Sequence, residues 1–379
     1  MKPSIIRGFD LKADLYRLEL DVVPEGFDIS SIESHSVEYF KKYGFRISSL
    51  TSELYGRYNG NFSENYITPS LYYYYIVPYL TKMEFAHAYD DKNIYSRLWP
   101  NMKQPTTILK NMGGRYFVPD PGTFSGEREL TENEAVDVLF QSKAGVIKPS
   151  MMGGGAGVEV FEFGTIEPYA IAGILHKYST DFIIQDVVKN HKSLKCFNPT
   201  SLNTCRIFTY RSVKNDNYVF LGAVIRFGGL GDFRDNASAG GGFCRVNENG
   251  VVGDTIFKYG SFEKRSLNKD KGLVNVSIPK FDEMIKCCRQ LHNGLPYNDL
   301  VGWDVTLDET GDIVLIEYNY APDIELLQMS EGPAFGDYTD EIMEKLTQPT
   351  TEDMIAVRRS FAAAPNKSMV IDMKKVGDL

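Results

Sequence analysis

Three side chains between Val301 and Tyr320, in "VGWDVTLDETGDIVLIEYNY", are of the types that hold a hard cation: Asp304, Glu317 and Asn319. Side chains alternate along a strand, so Glu317 and Asn319 share a face. A two-residue turn at Thr310 and Gly311 predicts Glu309 paired with Asp312 and, further out, Asp304 opposite Glu317. Two opposed carboxylates repel unless something positive lies between them. A Mg²⁺ ion answers this, taking both carboxylates, an amide oxygen, waters and substrate phosphates. The same spacing also fits a solvent-facing acidic sheet surface. Under either reading Val305, Leu307, Val314 and Ile316 form a core on the other side, which leaves the acidic face open. As metal ligands, Glu317 and Asp304 should tolerate replacement by their amides with the fold intact and turnover reduced about a hundredfold.

A second cluster is "VIKPSMMGGGAGVEVF". Gly153, Gly154, Gly155 and Gly157 form a loop able to approach a phosphate closely and aim several N–H groups at it. Lys148 stands on the strand before that loop. The pattern lacks the Gly-Lys-Ser/Thr of a Walker A loop and the spacing of a dinucleotide fingerprint. Two arginines stand out further on. Arg206 ends "NPTSLNTCR" and Arg226 interrupts the apolar strand "AVIRFGG". Either can clamp a carboxylate or a transferring phosphate in two places, or serve as an ordinary ion-paired arginine. Asn203, beside Arg206, and Asp235 with Asn236, on the approach to Gly240–Gly242, are candidate lining residues of an acceptor pocket. The five histidines include no metal-spaced pair, and His191 reads as a loop residue near the site.

These side chains need two scaffolds. "TTILKNMGGRYF" reads as strand, turn and strand about Gly113-Gly114. Thr131 with Glu134 is a capping box opening a helix to about Gln141. "GVIKPS", "GVEVFEF" and "DFIIQDVV" are further strands, with a helix near Ile166–Tyr178. Residues 105–187 thus form one small α+β unit. From 188 to 345 the strands lengthen, and a helix follows Pro279 with Phe281, Met284, Cys288 and Leu291 along its buried face. Residues 1–104 form a mixed, partly helical segment with its tyrosines (Tyr66 to Tyr79) in the core, and 346–379 a polar helical tail.

Composition narrows the class. The 379 residues carry 43% hydrophobic and 24% charged side chains and a formal charge of −9, the profile of a soluble globular chain with more than one packed unit. No basic cluster is long enough to track a phosphodiester backbone, so nucleic acid is not an expected partner. The apolar run "LYYYYIVPYL" is too short for a bilayer and contains Pro78. Five scattered cysteines, with no apolar leader, fit a reducing cytoplasm better than a disulfide framework.

The combination of a lysine before a glycine-rich loop with a downstream Asp and Glu-x-Asn resembles the ATP-grasp superfamily. The likeness is closest to its sugar-transfer-associated family. It extends over roughly residues 85–330, through "DKNIYSRLWPNMKQP", "LKNMGGRY", "NPTSLNTCRIFTYR", "IRFGGLGDFRDNASAGGGF" and "GWDVTLDETGDIVLIEYNYAPD". The resemblance implies an α+β ATP-grasp fold, two subdomains clamping ATP. Lys92 and Lys148 become nucleotide lysines, and the hinge Gln185, Asp186, Val187 and Val188 meets adenine, although a glutamate is common near Gln185 in such hinges. Asp304, Glu317 and Asn319 become Mg²⁺ ligands. The implied activity is a carboxylate–amine ligase forming an acyl phosphate, with Arg206 and Arg226 stabilising it. Its implied partners are small-molecule carboxylates and amines, including an amino acid with a sugar acid or aminosugar, free or nucleotide- or lipid-linked. A kinase of polyols or sugars, and a nucleotide-binding scaffold without catalysis, are the competing expectations.

Overall fold

The structure is a computed structural model and describes residues 35–45, 47, 50–153, 155–229, 241–258 and 263–347. Two antiparallel sheets organise these residues. The smaller contains β1 (Thr107–Met112), β2 (Arg115–Pro119), β3 (Glu127–Leu130), β4 (Gly145–Pro149), β5 (Glu159–Phe161) and β6 (Phe182–Gln185). Its order is β3-β2-β1-β6-β4-β5. Gly113 and Gly114 both have positive φ, 60° and 82°, which suits a two-residue hairpin turn and pairs Met112 with Arg115. The capping box of Thr131 and Glu134 opens the helix Glu132–Gln141. That helix and Pro168–Tyr178 bury Ala135, Leu139, Ile171 and Leu175 against Leu109, Ile147 and Ile184 on one face of the sheet.

The larger sheet contains β7 (Thr204–Arg211), β8 (Tyr218–Phe227), β9 (Gly242–Val246), β10 (Thr255–Phe257), β11 (Lys264–Ser266), β12 (Leu300–Leu307) and β13 (Ile313–Asn319), in the order β11-β10-β9-β8-β7-β12-β13. On one face Cys205, Ile207, Ile225, Val305 and Trp303 pack against the helix Phe281–Asn293, whose Phe281, Met284, Cys288 and Leu291 are buried as their spacing predicts. On the other face Phe208, Tyr210, Val224 and Leu300 are covered by the tyrosine-rich N-terminal helices, including Tyr55, Tyr58 and Tyr72. Apolar residues cover only part of this second face. Arg206, Arg226 and Asp304 also belong to it, and there the sheet becomes polar.

A buried histidine ties the helix to the sheet. His292 Nδ1 lies 2.8 Å from Thr209 Oγ1 and Nε2 lies 2.8 Å from the Asn298 carbonyl. Because a carbonyl only accepts, the neutral ring donates from Nε2 and accepts at Nδ1. Burial lowers its pKa to about 4, with Arg211 pushing the same way. The unfolded chain takes up this proton near 6.5 but the folded chain only near 4. Between those values the unfolded state binds more protons, so stability falls as pH drops, by up to about 3 kcal/mol. His292→Gln should therefore show a stability deficit at pH 7 that narrows towards pH 4 in denaturant unfolding. A deficit that does not change with pH would sink the buried neutral imidazole.

Candidate active site

The β12–β13 hairpin places Asp304 directly opposite Glu317. The turn differs from the expected one. Asp308 N–H bonds the Asp312 carbonyl at 3.0 Å, leaving Glu309, Thr310 and Gly311 as a three-residue loop with Gly311 at φ 83°. A shift of register between Asp304 and Val305 then restores the pairing further out. Because of the longer loop, Leu315 takes the core position expected for Ile316, and Ile316 falls at the bulge. Ile316 and Glu317 both line the cavity described below. Val314 likewise leaves the expected core face, because Ile313 and Leu315 occupy it beside Leu307 and Val305.

The acidic face is not open. Asp304 is 1% exposed. Its Oδ1 accepts from Arg206 Nε and its Oδ2 from Arg206 Nη2 at 2.8 Å and Arg226 Nη2 at 2.9 Å. Strand register explains this clamp: Arg206 on β7 is the cross-strand partner of Asp304, and Arg226 on β8 is the partner of Thr204. Burial alone would raise the Asp304 pKa. The two guanidinium charges and hydrogen bonds from Arg206 and Asn319 outweigh it and hold the carboxyl below its ordinary value. The positive charge beside Asp304 is therefore supplied by the protein itself. Asn319 also donates to the Gly302 carbonyl at 3.3 Å.

Glu317 meets a different cation. Lys92 Nζ lies 2.9 Å from Glu317 Oε1 and donates to the Met152 carbonyl at 3.0 Å. One ammonium thereby joins β13 to the glycine loop between β4 and β5. In that loop Gly155 and Gly157 have φ 70° and 69°, a conformation that disfavours side chains. A Cβ at Gly157 would stand 2.8 Å from Pro149 Cγ. Lys148 Nζ donates to Gln185 Oε1 at 3.2 Å. Gln185 is buried, and its amide also donates to the Pro105 carbonyl, so it sits behind Lys148. The segment after it crosses from the smaller sheet to the larger, where Asn190 bridges to Asp308 and His191 N–H bonds the Leu307 carbonyl.

These elements enclose a cavity of about 310 Å³ between the two sheets. Lys92, Lys148, Gly155, Asp186, Val187, Val188 and Glu317 all line it, so most of the residues expected to bind nucleotide come together. Val146, Val158, Val160, Leu202 and Ile316 give it an apolar slot. Four lysines (92, 148, 189 and 195) face two carboxylates, Asp186 and Glu317, a balance that suits a polyphosphate. Lys189, Lys195 and Ile316 escaped sequence reasoning. The first two lie in the lysine-rich "VVKNHKSLK" just after the hinge strand, a signal that was legible, whereas Ile316 was concealed by the bulge. Asp90 was missed too. Burial raises its pKa to about 6, with Glu317 and Asp91 adding to the rise and Lys92 opposing it, so a third acidic group lies close to Lys92 and Glu317.

Asn203 does not line the cavity. It is fully buried, its amide donates to the Leu194 and Asn198 carbonyls at 3.0 and 2.7 Å, and its oxygen accepts from Ser201. It fixes the loop whose Thr200 and Ser201 line the cavity in its place. His191 caps the short helix Lys192–Lys195 through Nδ1 and has a structural role. Gly153 lies in the glycine loop beside Met152, while Gly154, Asp235 and Asn236 and the tail beyond residue 347 lie outside the described residues. No helix among the described residues is long and apolar enough to cross a membrane.

Among known proteins, the family profile "Sugar-transfer associated ATP-grasp" matches residues 74–343, well over half of the chain. No curated protein matches the sequence. Among solved structures, the ATP-grasp ligase PsnB complexed with a minimal precursor matches at 13% identity, over 69% of this chain and 62% of that one, with a TM-score of 0.39. The VanG D-Ala:D-Ser ligase from Enterococcus faecalis matches at 12% identity over 68% and 61%, TM-score 0.42. The D-cycloserine synthetase DcsG matches at 12% identity over 89% and 95%, TM-score 0.39. The chain spans less than two thirds of the length of the first two.

Proposed function

The chain belongs to the sugar-transfer associated ATP-grasp family, and from that premise we propose that it is an ATP- and Mg²⁺-dependent carboxylate–amine ligase. The observation that carries the proposal is the cavity at the junction of the sheets, where an apolar slot leads to Lys92, Lys148 and Glu317. The slot suits a purine and the lysines a triphosphate. Glu317 and Asn319 are hard oxygen donors side by side with Asp304, a set whose chemistry fits Mg²⁺. Glu317 and Asn319 would hold the ion directly, while Asp304 would join them by yielding one of its guanidinium contacts. The ion would supply charge neutralisation on the phosphates.

The chain's own residues do the rest. Lys92 and Lys148 bind and orient the phosphates, and the glycine loop covers them and excludes water. A substrate carboxylate oxygen attacks the γ-phosphorus as the bond to the ADP oxygen breaks, giving an acyl phosphate. An amine then attacks the acyl carbon, phosphate leaves, and the ammonium proton passes to solvent. The scheme requires no side-chain nucleophile. Among the cysteines, burial raises the pKa of Cys205 and Cys244 to about 12, which keeps them protonated thiols. Association of the family with sugar transfer supports an amino acid joined to a sugar acid or aminosugar.

The test is a panel of amino acids and sugar acids incubated with Mg²⁺, ATP and hydroxylamine. The ligase reading expects ADP and a hydroxamate from one carboxylate, at least about tenfold above the rate without substrate. ADP release accompanied by a phosphorylated hydroxyl and no hydroxamate would instead establish a kinase.

A further inference from the structure

Lys92 is held by its backbone as well as its side chain. It opens the 3₁₀ turn Lys92–Ile94, which lies between the two sheets. Its N–H donates to the Ser150 carbonyl at 2.9 Å, at the root of the glycine loop. The next residue, Asn93, is fully buried and gripped from both sides by adjacent residues of β1. Lys110 Nζ donates to the Asn93 carbonyl at 2.5 Å, and the Asn93 amide donates to the Asn111 carbonyl at 3.0 Å. Lys110 is 2% exposed, an uncommon position for a lysine. Its remaining partners are Ser96 Oγ at 3.1 Å and Glu127 Oε1 at 2.7 Å, and Arg97 pairs with the same glutamate. A buried ammonium of this kind is costly unless all its hydrogens are used, and here three acceptors use them.

The arrangement links two bodies through one residue. The turn's backbone is fixed by the smaller sheet, whereas Tyr95 and Trp99, just beyond it, pack into the core of the larger sheet. The Lys92 ammonium then reaches Glu317 on the larger sheet. We propose that Lys110 and Asn93 form a buried latch whose task is to position Lys92, so that its ammonium meets the phosphates when the glycine loop does. Neither residue lines the cavity. Both are positioning residues, and the inference rests on the nucleotide reading above.

A double-mutant cycle tests it, using the full chain and calorimetric titration with ADP and Mg²⁺. Lys92→Ala should weaken ADP binding about tenfold or more. Lys110→Met and Asn93→Ala should each weaken it several-fold in the parent and have no further effect in the Lys92→Ala background. That non-additivity is what an effect acting through Lys92 requires. Equal losses in both backgrounds, or no loss in the parent, would overturn the latch while leaving nucleotide binding in place. Should Lys110→Met fail to fold, Asn93→Ala still completes the cycle. A parent protein that does not bind ADP at all would overturn the functional reading, and the latch with it.

Discussion

Glu317→Gln is expected to leave the chain folded, reduce ATP-dependent turnover about a hundredfold or more, and tighten binding of metal-free ATP. The effects on turnover and on binding have one origin. Glu317 is the carboxylate that faces the cavity, with its side chain 17% exposed and its charge paired to Lys92 at 2.9 Å. A triphosphate entering without a metal meets that carboxylate and finds Lys92 already engaged. Neutralising Glu317 frees the lysine and removes the repulsion. The gain should be about twofold to fivefold, the scale of one partly exposed ion pair. On the proposed reading, with Mg²⁺ present the amide would be a poorer ligand than the carboxylate, and charge that would steady the transferring phosphoryl group would be lost. Titration of ATP in EDTA and in Mg²⁺ separates the two terms. Near-normal turnover would remove Glu317 from the metal site. Unchanged metal-free affinity would show that the Lys92–Glu317 pair does not govern phosphate entry.

The hairpin shows how far local sequence rules reach. Asp304 does face Glu317, but through two departures that cancel: a loop one residue longer than expected and a bulge before Glu317. Alternation alone could not detect either, and this is why Ile316 and Leu315 exchanged places. The Gly113-Gly114 hairpin, the capping box and the buried face of Phe281–Asn293 were legible because their signals are local and strong. The Asp304 clamp was not legible, since it depends on three strands meeting in register: β8, β7 and β12. The apolar half of that same sheet face lies under helices from the N-terminal segment, and no local pattern marks where apolar cover ends and the polar row begins. Lys92 was reached only through family resemblance. Its physical role emerges once Ser150, Met152 and Glu317 are seen around it.

Asp304→Asn, by contrast, should cost stability as well as activity, which revises the expectation that either carboxylate could be neutralised with the fold intact. The carboxylate is buried and is the shared counter-charge of Arg206 and Arg226, which bind it at three points. An amide keeps one acceptor oxygen and adds donor hydrogens that face guanidinium donors. Arg206, which is buried, and Arg226, which is partly buried, then lose this carboxylate. Breaking a buried pair in this way typically costs about 3–5 kcal/mol, far more than the pair itself contributes over an apolar replacement. Denaturant unfolding should therefore separate the two carboxylates, with a large loss for Asp304→Asn and a small one for Glu317→Gln. Combining Asp304→Asn with Arg226→Met should recover part of the loss, because one of the two cations facing the altered side chain is then removed with it. If Asp304→Asn unfolds at the parent's midpoint, the clamp does not stabilise the β7–β12 pairing, and only the proposed metal-ligand role is left for Asp304.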